Sequence, residues 1–399
     1  MPKDISSPFT PGRPVPVESF VGRLEEIQRL RRKVQSAVRA RRLEIAFVAG
    51  ERGIGKSSLA AFVRTLCERE ERVLGIHTFL GGVNSLEEMV RRVFDRLLKE
   101  GAETPWYGKL KAFFGKHIRE VGLFGISVEF GAPDRDLGRL VHDFAPALRN
   151  LLENLKDEKS GVLLVLDDIN GLASSEHFAN WLKSLVDEIS VSRQPLPLCL
   201  LLVGLEDRRE SLIQLQPSLA RVFDVVDIRS WSESETREFF RAAFAKVNMS
   251  VADEALGMLA TYAGGLPVFA HELGDAAFSI DTDNEVGSGD AVQAVVAAAD
   301  IIGRKHLEPR VLSSIRSERY RSILRKIAQE PSRAFTRAEV ALGLKAEEVR
   351  VLDNFLRKME DLGVIEKDRE KRPGSYRFCS LLHFLYFRLE AQRAAQGPR

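Results

Sequence analysis

The sequence predicts an α/β fold with a doubly wound parallel sheet, followed by an all-helical lid and a C-terminal winged-helix domain. Three observations support this prediction. A glycine-rich loop follows a strand-like apolar run, several apolar strands alternate with helical segments, and the C-terminal part combines short helices with one hairpin. A chain of 399 residues with 44% hydrophobic residues is long enough for two or three globular domains.

We predict four parts from these patterns. They are an extended lead-in at residues 1–19, an α/β domain at 20–230 with an insertion at about 101–135, a lid at 231–308 and a winged helix at 309–399. The whole chain has a net charge of +2. From Val311 onward there are 19 lysines and arginines against 12 acidic residues, so this segment is basic and the rest is acidic. Opposite charges favour either a nucleic-acid contact or docking of one part on another.

The first half of the chain reads as alternating helices and strands. Apolar residues at helical spacing predict the helices, and short continuous apolar runs predict buried strands. The expected elements are helix Leu24–Val38, strand Ile45–Ala49, helix Ser58–Arg69, strand Val73–Phe79, a helix capped by Ser85 and Glu88, an inserted strand or hairpin in Leu123–Phe130, and helix Leu137–Leu155.

The second half begins with three further strands and then becomes helical. The strands are Val162–Leu166, Leu198–Val203 and Val225–Ile228. Lid helices are expected from the Ser232–Glu235 capping box, at Asp253–Ala263, at Pro267–Phe278 and at Ala291–Ile302, with a loop at Ser279–Asp290. The winged helix should contain helices Tyr320–Gln329 and Glu347–Leu362, a short helix capped by Thr336 and Glu339, and a hairpin of Val364–Glu366 with Tyr376–Phe378.

The glycine-rich loop has the Walker A pattern of glycine, four residues, glycine, lysine and serine. It reads Gly50, Glu51, Arg52, Gly53, Ile54, Gly55, Lys56 and Ser57, and it stands between a predicted strand and a predicted helix, as a P-loop must. Glycines let successive backbone N–H groups face one anion, and the helix start adds its positive dipole end. Lys56 supplies a charge for the β- and γ-phosphates, and Ser57 supplies a hydroxyl ligand for Mg²⁺.

Two aspartates follow the strand Val162–Leu166 and form the expected Walker B pair. Asp167 should hold Mg²⁺ through its water shell, and Asp168 should orient or deprotonate the attacking water. Because aspartate is one methylene shorter than the usual glutamate, we expect slow turnover. The following strand offers only Gly204 among apolar residues at its end, so no sensor residue is assigned there.

Taken together, the chain resembles the AAA+/STAND group of P-loop ATPases, near the archaeal-type ATPases and origin-recognition initiators. The matching features are Phe20-Val21-Gly22-Arg23, both Walker motifs, Gly264-Gly265-Leu266-Pro267 and the terminal winged helix. The resemblance implies that Phe20 to Arg23, with Val21, Gly22 and Arg23 as binding residues, lie against adenine largely through backbone contacts. It implies that Ser58 joins the Walker A residues in binding nucleotide, and that Pro267 approaches the nucleotide from the lid. It also implies that Arg221 is an arginine finger for a neighbouring subunit.

Three functions follow as alternatives. The first is an ATP/ADP- and Mg²⁺-dependent switch that forms a homo-oligomer when ATP is bound. The second is a protein that binds double-stranded DNA through its basic winged helix. The third is a nucleotide-binding scaffold without turnover. A winged helix also serves to dock a protein partner. The chain lacks a signal-peptide core and any membrane-length apolar run, and its three separated cysteines read as buried free thiols. We therefore expect a cytoplasmic protein without membrane attachment, with its histidines in surface or packing roles.

Overall fold

The structure is a computed structural model that describes residues 6–13, 15, 20–115, 118–121, 127–368 and 371–396. It divides into two compact units. One is Pro14–Arg229, and the other combines Met1–Arg13 with Ser230–Arg399. The boundaries predicted between the lid and the winged helix, and around the insertion, stay predictions.

The Pro14–Arg229 unit is built on a five-stranded parallel sheet. Its strands are β1 Leu43–Gly50, β2 Val73–Phe79, β5 Gly161–Asp167, β6 Leu198–Val203 and β7 Asp224–Ile228, with β3 Ile118–Val121 and β4 Ser127–Phe130 forming a separate antiparallel pair. The sheet order is β2-β5-β6-β1-β7, and all its pairings are parallel. Parallel strands place their carboxyl ends at one edge, so the segments following β1 and β5 meet there.

Eight helices accompany these strands in the described part of this unit. They are α1 Leu24–Ala40, α2 Lys56–Glu70, α3 Leu86–Gly101, α4 Tyr107–Phe114, α5 Asp134–His142, α6 Phe144–Asn154, α7 Glu176–Val191 and α8 Glu206–Leu215. Every residue of β5 and β6 is buried, as expected for strands covered on both faces. The predicted α/β class is confirmed.

One helix predicted for this unit is wrong. Leu137–Leu155 forms two helices, α5 and α6, that meet at Asp143. Pro146 explains the break, because its ring has no N–H for the carbonyl four residues earlier and clashes with it. The inserted hairpin falls only partly on described residues: β3 pairs with β4, and positions 122–126 lie outside the described range.

The second unit begins with four lid helices. They are α9 Glu233–Ala245, α10 Asp253–Ala263, α11 Pro267–Ile280 and α12 Ser288–Ile302. The Ser232–Glu235 capping box is present with both of its hydrogen bonds. The predicted loop Ser279–Asp290 is wrong in part, because α11 continues to Ile280 and two residues of the loop form the strand β9, Glu285–Val286. That strand pairs in parallel with β8, Ser250–Val251.

The N-terminal segment is attached to the lid. Phe9 is 4% exposed and meets the rings of Phe239 and Phe244 edge-on. A Cβ on Gly274 would lie 2.2 Å from the Phe9 ring, so the lid helix accepts this ring only because that position is glycine. Nothing in the sequence pattern of the proline-rich lead-in predicts this anchorage.

The winged-helix region follows the predicted order of helices and hairpin, except that the third helix is divided and that a strand before the second helix and a final helix are added. A π-helical segment Gly303–Leu312 leads to α13 Glu318–Gln329, β10 Ala334–Thr336, α14 Arg337–Leu342, α15 Ala346–Val349, α16 Leu352–Asp361, β11 Ile365–Lys367, β12 Ser375–Phe378 and α17 Leu381–Gln396. The three strands form an antiparallel sheet in the order β10-β12-β11. Thr336 and Glu339 form the expected capping box.

The long helix predicted at Glu347–Leu362 is wrong, because it divides into α15 and α16. The buried Glu348 carboxylate accepts hydrogen bonds from Lys326 Nζ at 2.7 Å and from the Lys345 N–H at 2.8 Å. Burial opposes ionisation of Glu348, yet these bonds lower its pKa to about 2. The Lys345 bond caps the start of α15, and the helix is interrupted at Val351 before α16 begins with the buried Leu352.

The last helix, α17, packs into both halves of its unit. Leu382 is part of the lid core, whereas Tyr386 and Phe387 belong to the winged-helix core. Arg393 adds an ion pair to Asp300 of α12 at 2.8 Å. The aromatic residues near the C-terminus are therefore core residues. Cys379, in contrast, is exposed, so the reading of all three cysteines as buried is wrong for this one.

Candidate nucleotide-binding and catalytic site

The Walker A loop connects β1 to α2 through backbone conformations that need glycine. Gly50 has φ 152°, and a Cβ there would lie 2.8 Å from the carbonyl oxygen of Ile228 on the adjacent strand. Gly55 has φ 94° and stands immediately before the first residue of α2, Lys56. The loop therefore opens onto a helix N-terminus, where backbone N–H groups and the helix dipole favour an anion.

Lys56 is held by its own loop. Its ammonium donates to the carbonyl oxygens of Gly50 at 2.9 Å and Glu51 at 2.7 Å. Burial lowers the pKa of Lys56, and the negative charges of Asp167 and Asp168 oppose that shift. A partly desolvated cation beside a helix N-terminus and two carboxylates is suited to binding phosphate.

Asp167 is placed at the end of β5 with both carboxylate oxygens engaged. Oδ1 accepts a hydrogen bond from the Ser57 hydroxyl at 3.1 Å, and Oδ2 lies 2.8 Å from Nε2 of His77. The Asp167 residue is 1% exposed, and its backbone carbonyl accepts from the Leu80 N–H at 2.7 Å. The structure thus joins the Walker A serine to the first Walker B aspartate.

Asp168 is exposed beside this pair and has a left-handed backbone with φ 57°. Its Oδ1 accepts a hydrogen bond from the Asn170 amide, whose own oxygen accepts from the Leu205 N–H at 3.3 Å. On the other side, a Cβ on Gly81 would lie 2.9 Å from Asp168 Oδ2. Asn170 and Gly81 therefore direct where the Asp168 carboxylate can lie.

The Phe-Val-Gly-Arg segment also reaches the loop. Phe20 stacks on Phe62 of α2, with ring centroids 4.8 Å apart. Arg23 caps α1 in a left-handed conformation at φ 62°, and its guanidinium donates to the Ile54 carbonyl at 3.4 Å. Gly22, with φ 77°, lets the chain turn there. The resemblance predicts backbone contacts to adenine from Val21, Gly22 and Arg23, and the structure adds a side-chain link from Arg23 to the P-loop.

The remaining predicted site residues lie elsewhere. Arg221 is the exposed last residue of a 3₁₀ turn, Pro217–Arg221, just before β7. Within the described part of the chain, its guanidinium has no hydrogen bond or ion pair. Pro267 belongs to the other unit, where it is buried at the first position of α11. The roles of Arg221 and Pro267 toward nucleotide stay predictions.

Sequence reasoning missed three residues of this site, namely His77, Asn170 and Gly81. His77 was expected to have a surface or packing role, but its ring bonds directly to Asp167. The sequence does show that His77 and Gly81 lie on either side of the carboxyl end of β2. It does not show that β2 is the neighbour of β5 in the sheet. Strand order is not written in the local sequence, so this proximity becomes visible only in the fold.

Comparison with known proteins agrees with this geometry. The sequence profile of the AAA ATPase domain family matches residues 19–201. The matched segment contains both Walker motifs. No curated protein sequence gives a significant match.

Solved structures show the same fold over nearly the whole chain. A Walker-type ATPase of Pyrococcus abyssi is similar with a TM-score of 0.59 and 18% identity, covering 93% of this chain and 97% of that one. The ORC2 protein of Aeropyrum pernix, in ADPNP and ADP complexes, has a TM-score of 0.58 and 15% identity, covering 97% and 96%. At such identities the likeness concerns fold, and it confirms the sheet domain with its lid and winged helix.

The family match supports a nucleotide-binding ATPase in general terms. Among the described residues, no helix is both long and apolar enough to cross a bilayer. The same residues contain no cluster of three or more histidine, cysteine or acidic side chains that could hold a metal by themselves. For a metal at the nucleotide site, the chain offers the Ser57 hydroxyl and the Asp167 carboxylate.

The donors at the site fit Mg²⁺ on that basis. Mg²⁺ prefers oxygen ligands at about 2.0–2.1 Å in octahedral geometry, which places neighbouring ligands about 2.9 Å apart. Ser57 Oγ and Asp167 Oδ1 are 3.1 Å apart. A hydroxyl and one carboxylate, completed by phosphate and water oxygens, are what Mg²⁺ uses in nucleotide sites. When bound, the ion would neutralise phosphate charge during transfer.

Proposed function

We propose that this chain is an ATP-dependent molecular switch that hydrolyses ATP slowly and self-assembles in its ATP-bound form. The observation that carries the proposal is the hydrogen bond between Ser57 and Asp167, because it places the Walker A hydroxyl 3.1 Å from the Walker B carboxylate, close to the spacing of neighbouring Mg²⁺ ligands. Lys56 would bind the phosphates, Ser57 and Asp167 would hold Mg²⁺, and Asp168 would orient the attacking water. The short reach of an aspartate supports slow turnover.

The second unit provides a body that such a switch could move. Because α17 contributes Leu382 to the lid core and Phe387 to the winged-helix core, the lid and the winged helix share one packed element. Pro267, at the start of a lid helix, would respond to nucleotide. A displacement of the lid would then carry the winged helix with it, toward DNA or a protein partner.

Self-assembly is the testable part of this proposal. Arg221 is exposed and, among the described residues, without an ionic partner, so it is available to complete the site of a neighbouring copy. We expect the particle mass to increase when a non-hydrolysable ATP analogue replaces ADP, and we expect Arg221→Ala to reduce ATP turnover at least tenfold. Light scattering after size exclusion and a phosphate-release assay measure the two effects.

Arg229→Ala is the matched control for this experiment, because the Arg229 side chain is 86% exposed and lies in the same unit. This control variant should assemble and hydrolyse ATP normally. A particle mass that is the same with either nucleotide would rule out nucleotide-driven assembly. Normal turnover in Arg221→Ala would instead remove Arg221 from the catalytic site and leave assembly standing.

A second candidate function is ATP-gated binding of double-stranded DNA by the winged helix. The face of α15 and α16 carries acidic residues that would repel DNA, but the structure pairs two of them internally. Asp353 accepts two hydrogen bonds from Arg337, at 2.6 and 2.9 Å, and Glu348 is buried against Lys326. Exposed cations remain on α16 and on the segment between β11 and β12, namely Arg357, Lys358, Lys371 and Arg372. Arg369 lies outside the described residues.

Salt dependence distinguishes this function from docking of a protein. If Lys371 and Arg372 each contact a phosphate, replacing both with alanine should make the negative slope of log affinity against log salt shallower by about 1.8. Fluorescence anisotropy with a labelled duplex at several salt concentrations measures the slope. Lys156→Ala, at a 64% exposed position of the other unit, serves as the control. If the full chain does not retain duplex at low salt, the DNA proposal is wrong.

A further inference from the structure

We propose that His77 is a positioning residue for Asp167. By its hydrogen bond, His77 holds the Asp167 carboxylate in the rotation that faces Ser57, and it thereby sets the affinity for the nucleotide-bound metal ion. This inference rests on the proposed function, because it assumes that Ser57 and Asp167 are the metal-facing groups. His77 itself would contact neither the metal nor the nucleotide. It would act through one hydrogen bond to Asp167.

The imidazole ring is itself fixed by the strand that carries it. His77 is 3% exposed on β2, and its ring stacks on Phe79, with centroids 4.7 Å apart and planes inclined by 24°. Phe79 is paired in register with Asp167 on β5. The ring therefore has little freedom to swing away from the carboxylate.

The hydrogen-bond partners determine the direction of the bond. An ionised carboxylate can only accept, so Nε2 of His77 must carry the proton that it shares with Asp167 Oδ2 at 2.8 Å. Oδ1 is left to face the Ser57 hydroxyl at 3.1 Å. Each oxygen of Asp167 thus has one assigned neighbour, and rotation of the carboxylate would break both contacts.

Removing His77 should weaken metal binding for a clear reason. Asp167 Oδ2 would become a buried acceptor without its donor, and the carboxylate would turn to recover a partner. When a residue that orients a metal-ligating group by hydrogen bonding is removed, the metal affinity typically falls about 10–100-fold. The geometry of Walker A, including Lys56 and the helix N-terminus, would stay in place, so metal-free nucleotide should bind as before.

The test compares His77→Leu with His77→Gln in the full-length protein. The metal probe is Mn²⁺, and its dissociation constant in the presence of ADP is measured by electron paramagnetic resonance, so no turnover is involved. We expect His77→Leu to raise this constant about 10–100-fold with unchanged metal-free ADP binding. His77→Gln keeps an N–H donor and should recover most of the affinity. His177→Leu, at an exposed position of the same unit, should behave as the unmodified chain.

Several outcomes overturn the proposal or support it. The proposal is overturned if His77→Leu binds Mn²⁺ with the affinity of the unmodified chain. It is also overturned if His77→Leu loses metal-free ADP binding, because such a loss would reveal a general structural role for His77. Should His77→Leu fail to fold, His77→Asn replaces it, since the shorter asparagine side chain withdraws the donor from Asp167. If His77→Asn binds Mn²⁺ more weakly than His77→Gln, the proposal is supported. If the two variants bind Mn²⁺ equally, the proposal is overturned. An unmodified chain that binds no ADP contradicts the proposed function itself.

Discussion

Replacing Lys56 with alanine is expected to abolish ATP and ADP binding at micromolar nucleotide, a loss of at least about 100-fold in affinity. The ammonium lies within 2.9 Å of two loop carbonyls, so it is fixed over the loop that would receive the phosphates. A charge-assisted hydrogen bond to phosphate in a partly desolvated place contributes about 1.5–3 kcal/mol, and a phosphate contacted by one ammonium uses more than one such bond. Isothermal titration calorimetry with ADP and Mg²⁺ measures the effect.

The fold itself should survive this substitution. Burial lowers the pKa of Lys56, which means that the folded protein holds the charged form at some cost. The free energy of unfolding of Lys56→Ala should therefore be unchanged or slightly higher, which a urea titration can measure. Lys109→Ala, at an exposed position of the same unit, is the control and should bind nucleotide normally. If Lys56→Ala takes up nucleotide with unchanged affinity, the loop is not a phosphate site.

The parts of the site that the sequence predicted are those encoded by continuous segments. Gly50 to Ser57 form a local strand–loop–helix, and every requirement for it, from positive φ at Gly55 to the helix start at Lys56, is met by neighbouring residues. Asp167 could be placed for the same reason, because an apolar run followed by acids predicts where a parallel strand ends. Local rules were sufficient for both motifs.

The parts that it could not predict depend on contacts between distant segments. His77 and Asp167 are 90 residues apart, and their contact requires β2 to be the neighbour of β5. Phe9 reaches His271 and the lid helices across more than 200 positions, and no periodicity in the lead-in signals a buried ring. Such contacts follow from strand order and from the shape of a core, neither of which has a local signature.

Helix ends lie between these two cases. The break between α5 and α6 has a cause visible in the sequence, since Pro146 cannot continue the helix that precedes it. The break between α15 and α16 has no such residue. Apolar residues at helical spacing continue on both sides of it, so amphipathic spacing alone extended the prediction through Val351.

Asp168→Asn is expected to lower ATP turnover at least about 100-fold while leaving nucleotide binding intact. A positioned general base contributes about 10²–10⁴ to a rate, and an amide cannot accept the proton of the attacking water. Asparagine is the right replacement at this position because Asp168 has φ 57°, a conformation that asparagine tolerates and most other side chains do not. The variant therefore removes the carboxylate without disturbing the turn after β5. Phosphate release under saturating ATP, measured beside ATP affinity, separates the two effects.

Asp207→Asn provides the control, since Asp207 is an exposed aspartate at the start of α8 and lies outside the predicted site. It should hydrolyse ATP at the rate of the unmodified chain. Asn170→Ala gives an intermediate test, because it leaves the Asp168 carboxylate in place but removes the amide that orients it. A graded loss from Asn170→Ala to Asp168→Asn would show that orientation and proton acceptance both matter. Equal turnover in the unmodified chain and Asp168→Asn would mean that another group handles the water, or that the measured phosphate does not come from this site.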